Sequence, residues 1–147
     1  MTDVSSLLPH AGTARMIERA VRWDREHIVA ATTRHRAADN PLRKDGRLAA
    51  VHLAEFGAQT MAIHGGLLNR ADGVAPKPAL LVSVRDFSCT RDFVDDLAGE
   101  LEITARVLLA SAAGFQYSFE VGHAGEIIAS GRVAAIVYEL PGGMGGS

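Results

Sequence analysis

The chain is 147 residues long, which suits one domain with a core large enough to need neither disulfides nor a structural metal. Its 15 Lys and Arg against 17 Asp and Glu give a formal charge of −2, with the basic residues scattered, so neither a nucleic-acid footprint nor a patch for an anionic membrane is visible. The single cysteine, Cys89, excludes an internal disulfide and leaves no Cys/His set with metal spacing; it is expected to fill apolar space on a strand.

The opening MTDVSSLLPH lacks a basic region followed by an apolar run, and no stretch reaches membrane-span length without polar interruption, which predicts a soluble cytoplasmic protein. After a short segment at residues 7–13, ARMIERAVRWD reads as extended, with a phase shift near Ile17. HIVAATTR, from His27, is β-branched and also extended, so the two are expected to pair antiparallel through a turn at residues 24–26. In the polar loop HRAADNPLRKDGR, Pro41 and Gly46 stop any strand before an apolar helix begins near Leu48. The helix is expected to end around residues 69–73, and Pro76 and Pro78 mark a loop. Four strands follow, at residues 79–93, 100–109, 115–122 and 126–138, separated by the turns DDLAGE, SAAG and HAGE. The Gly-rich tail PGGMGGS, residues 141–147, is expected to be disordered, leaving one domain over residues 1–140.

The helix carries the most informative feature. Across residues 48–68, LAAVHLAEFGAQTMAIHGGLL, there is no Lys or Arg, and Glu55 is the only carboxylate. A helix apolar or small nearly all round reads as buried, and a lone acid in it costs energy unless it is satisfied or used. At about 100° per residue, His52, Glu55 and Gln59 fall within roughly a 60° sector, with Thr60 and His64 well off it. One reading is a narrow solvent-facing stripe. The other is a polar line facing a pocket, where loss of water favours the protonated carboxyl and suits Glu55 to proton transfer.

Two strands, one long helix and four strands define an α+β chain. Such a helix needs burial on most sides, which a strongly curved antiparallel sheet of five to six strands wrapped around it provides, as in the hotdog fold. Both edges of that sheet are open, and joining two copies edge to edge closes one of them, so at least a dimer is expected.

Three segments resemble one family in the right order. LLPHAGTARMIERAVRWD resembles the LPHR…LLVDRV opening of the hotdog 3-hydroxyacyl-[acyl carrier protein] dehydratases; EFGAQ, residues 55–59, resembles their EAMAQ helix motif; and LLVSVRDFSCTRDFVDDLAGELEITARVL resembles their segment ending in a PGD-L turn. The combination DNPLR, G-x-L and E-x-x-AQ-x-M-A-x-HG is similar to a divergent branch associated with bacterial aryl-polyene and related fatty-acid or polyketide pathways. The resemblance implies a substrate held as a thioester on a phosphopantetheine arm, delivered by acyl carrier protein or coenzyme A, with no other cofactor. It also implies a tunnel between subunits with the long helix at its inner end. Carried over by position, it gives Glu55 and Gln59. The family's catalytic histidine, fourteen residues before its glutamate in a GHFPG loop, corresponds to Pro41 here.

Dehydration of a 3-hydroxyacyl thioester needs a base at C2, an acid at the departing hydroxyl and donors on the thioester carbonyl. Glu55 is the candidate acid, with helix-start amides around Ala50, residues 49–51, as donors. His52 is the candidate base, or else it merely satisfies the buried acid. Asn40, in the loop replacing the histidine loop, and Gln59 are candidate substrate-binding residues. His35 in that loop reads as solvated, and Arg43 as either a phosphate partner or a solvated side chain. His10 reads as structural, His64 as a helix-end residue, and His27 and His123 as surface. Three functions remain open: a dehydratase, a silent subunit pairing with an active dehydratase, and a thioesterase on the same fold.

Overall fold

The computed structural model describes Thr2–Asp3, residues 14–75, Lys77 and residues 79–138. The expected segment at residues 7–13, with His10, and the tail at 141–147 lie outside the described residues. Seven strands, β1 (Thr2–Asp3), β2 (Arg19–Trp23), β3 (His27–Thr32), β4 (Ala79–Cys89), β5 (Leu101–Ser111), β6 (Gly114–His123) and β7 (Glu126–Val137), form one sheet in the order β1-β2-β3-β5-β6-β7-β4. Every pairing is antiparallel. The sequence suggests five to six strands; β1, only two residues long, is the addition, and it is too short to show a period-2 pattern.

The β2–β3 pair and its turn stand as expected, because Asp24 Oδ1 accepts from the backbone N–H groups of Glu26 and His27 at 2.8 and 2.9 Å. The phase shift lies between Ala20 and Arg22 instead of near Ile17; Met16 and Ile17 are both buried. The β6–β7 turn is built on Ala124 and Gly125, both with positive φ, as a tight two-residue hairpin requires.

The single helix, α1 (Leu53–Ala71), starts later than the apolar run does. Leu48 and Ala49 are extended, with Ala49 bridged to Phe93 and Val94 N–H donating to Leu48 O at 3.0 Å, and residues 50–52 form a 3-10 turn. At the other end Gly73, with φ +67°, stops the helix, and the N–H groups of Asp72, Gly73 and Val74 return to the carbonyls of Leu68, Arg70 and Asn69.

Leu53, Phe56, Thr60, Ile63 and Leu67 form the buried stripe of α1, facing Ile28, Ile103, Phe119 and Val121 of the sheet. Each such large apolar side chain stabilises the fold by about 1.5–3 kcal/mol. Gly57, Ala58, Gln59, Met61 and His64 are buried as well, so burial extends round most of α1. Val51 is 58% exposed, Ala62 is exposed, and Ala54, Glu55, Gly65 and Gly66 are half-buried. The helix is enclosed on most sides, as expected, and a strip of small residues through Ala54, Ala62 and Gly65 is left open.

Deep in the sheet-facing stripe, His64 is fully buried, and is not the helix-end residue its position suggests. Its Nε2–H donates to Asp24 O at 2.6 Å, which leaves Nδ1 to accept the Tyr117 hydroxyl at 2.5 Å. Trp23 meets the His64 ring edge-on at 6.4 Å. Burial holds the His64 imidazole neutral and pushes the Tyr117 phenol up. Cys89 is exposed at the end of the edge strand β4 and fills no core space, because β4 has a neighbour on one side only.

Helix and sheet approach each other closely at Gly57. A Cβ there would lie 2.6 Å from Phe119 Cγ, and Phe119 stacks in turn on Phe87, with centroids 6.3 Å apart. Gly57→Ala is expected to lower stability by about 1–3 kcal/mol in urea unfolding through overpacking, and Phe119→Leu in the same chain should restore part of it. Equal loss in the single and double variants would show that the helix-to-ring contact is not the cause.

Candidate functional site

Glu55 sits in the first turn of α1, where unpaired N–H groups and the positive end of the dipole suit an acid. One turn on, Gln59 is 2% exposed and fully engaged. Its Nε2 donates to Glu55 Oε2 at 2.8 Å and to Ala14 O at 3.0 Å, while its Oε1 accepts from Met16 N–H at 2.7 Å. The amide thus aims the carboxyl and ties α1 to the chain before β2. With both N–H groups spent, Gln59 is a positioning residue here, and the structure leaves it no free donor for a substrate. Glu55 Oε1 has no partner among the described residues.

His52, half-buried in the 3-10 turn, donates its backbone N–H to Ala49 O at 3.1 Å, while its imidazole has no hydrogen-bond partner among the described residues. It lies one turn before Glu55, and both side chains are half-buried. The expected donor at Ala50 is corrected: Ala50 is buried and its N–H is given to Asp92 O at 2.8 Å. That bond follows from the extended start of the segment, which places Ala50 beside the chain after β4 before any helical turn forms.

The loop in place of the histidine loop is packed, not solvated. His35 is fully buried, with Nε2–H donating to Leu97 O at 2.9 Å and Nδ1 without a partner, and desolvation lowers its pKa. Asn40, 3% exposed, donates to Arg34 O at 2.8 Å and accepts from Leu42 N–H at 2.9 Å, so its amide braces the loop. Arg43 folds back on the loop, donating to Gly46 O and Arg36 O at 2.7 and 2.9 Å, which removes it as a free phosphate partner. His27 is half-buried against Asp24, and His123 is half-buried with Nε2–H on Ala98 O. None of the four described histidines outside position 52 makes a contact with Glu55.

No three His, Cys, Asp or Glu side chains among the described residues gather as a metal site, and no helix there is long and apolar enough to cross a membrane.

A long helix laid on one face of an antiparallel sheet, with an acid in its first turn, defines a hotdog-fold protein. The sequence profile of the ApeP-like family, described as ApeP dehydratase, matches residues 2–140, and the chain belongs to that family. No curated protein matches it. Among solved structures, a chain of the dehydratase heterocomplex ApeI:P from Xenorhabdus doucetiae is similar at TM-score 0.85 and 19% identity, over 95% of this chain and 93% of that one. AziG from S. sahachiroi is similar at TM-score 0.58 and 20% identity, over 83% and 91%. A hypothetical thioesterase with coenzyme A from Streptococcus pneumoniae TIGR4 is similar at TM-score 0.59 and 11% identity, over 82% and 84%. These likenesses share the fold.

Two outcomes follow from the site's surroundings. Gln59→Leu strands Met16 N–H and Ala14 O and should cost about 2–4 kcal/mol in chemical denaturation; a variant as stable as the parent would show the clamp idle. His35 and His64 are held neutral in the fold, so the unfolded chain takes up protons first as pH falls below the ordinary histidine value of about 6.5. Stability is expected to fall progressively below that pH, and His35→Gln should flatten the fall when denaturation midpoints are compared across pH.

Proposed function

We propose that this protein dehydrates 3-hydroxyacyl thioesters carried on a phosphopantetheine arm, at a pocket that a second hotdog subunit completes. The observation that carries the reading is Glu55 aimed by Gln59 on the helix face its own sheet leaves open. A carboxyl placed there acts only on something that arrives from outside this chain. The second subunit is supported by the exposed edge strand β4, where Leu80, Leu81 and Val84 are 56%, 40% and 39% exposed, and by the similarity to a dehydratase heterocomplex. The chain's setting is fatty-acid, polyketide or aryl-polyene synthesis, with acyl carrier protein or coenzyme A bearing the substrate, in a homodimer or a heteromer.

In the reaction a base removes a proton from C2, the electron pair forms the C2–C3 double bond, and the C3–O bond breaks. Glu55 gives its proton to the departing hydroxyl, which leaves as water, and the product is a 2-enoyl thioester. Within this chain His52 is the unpaired imidazole on the same side, and it serves as the base unless the second subunit supplies one. Gln59 keeps Glu55 from rotating between turnovers.

The test compares the protein alone and with a second hotdog subunit from the same cells, following enoyl formation by absorbance and thiol release in parallel. Glu55→Gln is expected to lower dehydration by about 10²–10⁴-fold with little change in melting temperature, and His52→Ala to do the same if it is the base. Thiol release in place of enoyl product would make the protein a thioesterase. Activity that needs the second subunit and ignores Glu55→Gln would make this chain a silent partner and sink the assignment of Glu55.

A further inference from the structure

The side-chain amide of Gln59 has two senses to choose between, and the groups around it admit one. With Oε1 toward Met16 it accepts that residue's N–H at 2.7 Å, and Nε2 then donates to Ala14 O at 3.0 Å and to Glu55 Oε2 at 2.8 Å. Turned over, Nε2 would meet the Met16 N–H donor to donor, and Oε1 would meet Ala14 O acceptor to acceptor. Gln59 is 2% exposed, so both mismatches would be buried, and each would cost the desolvation of its groups. The backbone at residues 14–16 therefore decides what Glu55 faces.

That backbone is held in turn from the sheet. Thr32, fully buried at the end of β3, donates its hydroxyl to Met16 O at 2.6 Å and accepts from Arg34 N–H at 3.0 Å. With its acceptor side taken, the hydroxyl proton is directed at Met16. Arg34 Nε donates to Arg15 O at 3.1 Å, which secures the preceding carbonyl. Met16 is thus bonded at its carbonyl by β3 and at its N–H by α1, and swinging the N–H away from Gln59 strains the bond to Thr32.

We propose that Thr32 is a positioning residue for Glu55, acting through the Met16 peptide and the Gln59 amide, and that the fixed sense of this chain of bonds makes Oε1 the oxygen of Glu55 that carries the transferable proton. The inference rests on the reading of Glu55 as the acid. Oε2 accepts a hydrogen bond from a donor that cannot turn, which makes it a poor seat for a proton. Oε1 has no partner among the described residues. In the reversed sense the carboxyl proton would sit on Oε2 and be donated to Gln59 Oε1, and so be withheld from the departing hydroxyl. Thr32 keeps the proton on the free oxygen, as a supporting shell does for a reacting group.

The test uses the full chain, with the second hotdog subunit where turnover needs it, and has two readouts. The first needs no turnover. In isotope-labelled protein, a coupling through the hydrogen bond from the Met16 amide nitrogen to the Gln59 side-chain carbonyl carbon exists only while Oε1 accepts from that N–H. It should be present in the parent chain, weakened in T32V and restored in T32S. The second readout is dehydration, where T32V is expected to lower kcat by on the order of tenfold to a hundredfold with KM little changed, and T32S to return it close to the parent. V133A, which thins the core outside this chain of bonds, should lower the melting temperature and leave kcat unchanged. A parent chain without the coupling overturns the proposal whether or not any variant folds. So does a T32V that keeps the coupling, or one that loses no more kcat than V133A while E55Q abolishes turnover. E55Q without effect on dehydration sinks the reading of Glu55 and this proposal with it, and the coupling tells that failure from one of geometry.

Discussion

A sheet can cover only one side of a helix, and that limit shapes everything around α1. The buried stripe through Leu53, Phe56, Ile63 and Leu67 consumes the sheet's inner face. What remains on the helix before Arg70 in its last turn is Ala54, Ala62, Gly65 and Gly66, small and uncharged, with Glu55 the one acid among them. Such a surface gains nothing from water, yet it has no bulk to make a core of its own. Small residues let another polypeptide or an acyl chain come close to the helix backbone. The acid on that surface is held by the Gln59 amide one turn further on.

That rigidity comes from polar groups used as struts. Gln59 spans from Glu55 to residues 14–16, and Thr32 Oγ1 donates to Met16 O at 2.6 Å, so the strand β3 and the helix grip the same short segment. Asn40 Nδ2 reaches Met16 Sδ at 3.3 Å as well. Met16 is thereby the meeting point of helix, sheet and loop. The loop over residues 33–47, which carries Pro41, is braced internally by Asn40, Arg43 and His35. A braced loop holds its shape and keeps the His35 ring buried.

Much of this architecture was legible in the residues. Alternation and turn chemistry located β5, β6 and β7 to within two residues, since each is long and flanked by Gly, Asp or Ala-Gly turns, and gave the start of β4, which ends at Cys89 and not at residue 93. Strand order was not, because β4 pairs with the last strand β7, a contact decided by the global fold and by no local pattern. Spacing brought Glu55 and Gln59 together correctly, because i and i+4 neighbours meet on any helix. It could not show that Gln59 faces residues 14–16, which are 43 or more positions away. His35 looked solvated because its neighbours are Arg34 and Arg36. Those two turn outward around a ring that points in, and one buried side chain in a three-residue 3-10 turn leaves no periodic trace.

Trp23 is the only tryptophan in the chain, and it stands edge-on to His64 in the cluster that seats the second half of α1. The protein therefore carries its own optical gauge. An indole beside an imidazole is quenched differently when that ring is neutral, charged or withdrawn, so the emission of the unlabelled chain reports how firmly the helix rests on the sheet. Glu55 lies two and a half turns away on the same rigid rod. Any ligand or subunit that settles on the open face and shifts the rod will be visible as a change of colour or brightness at its far end.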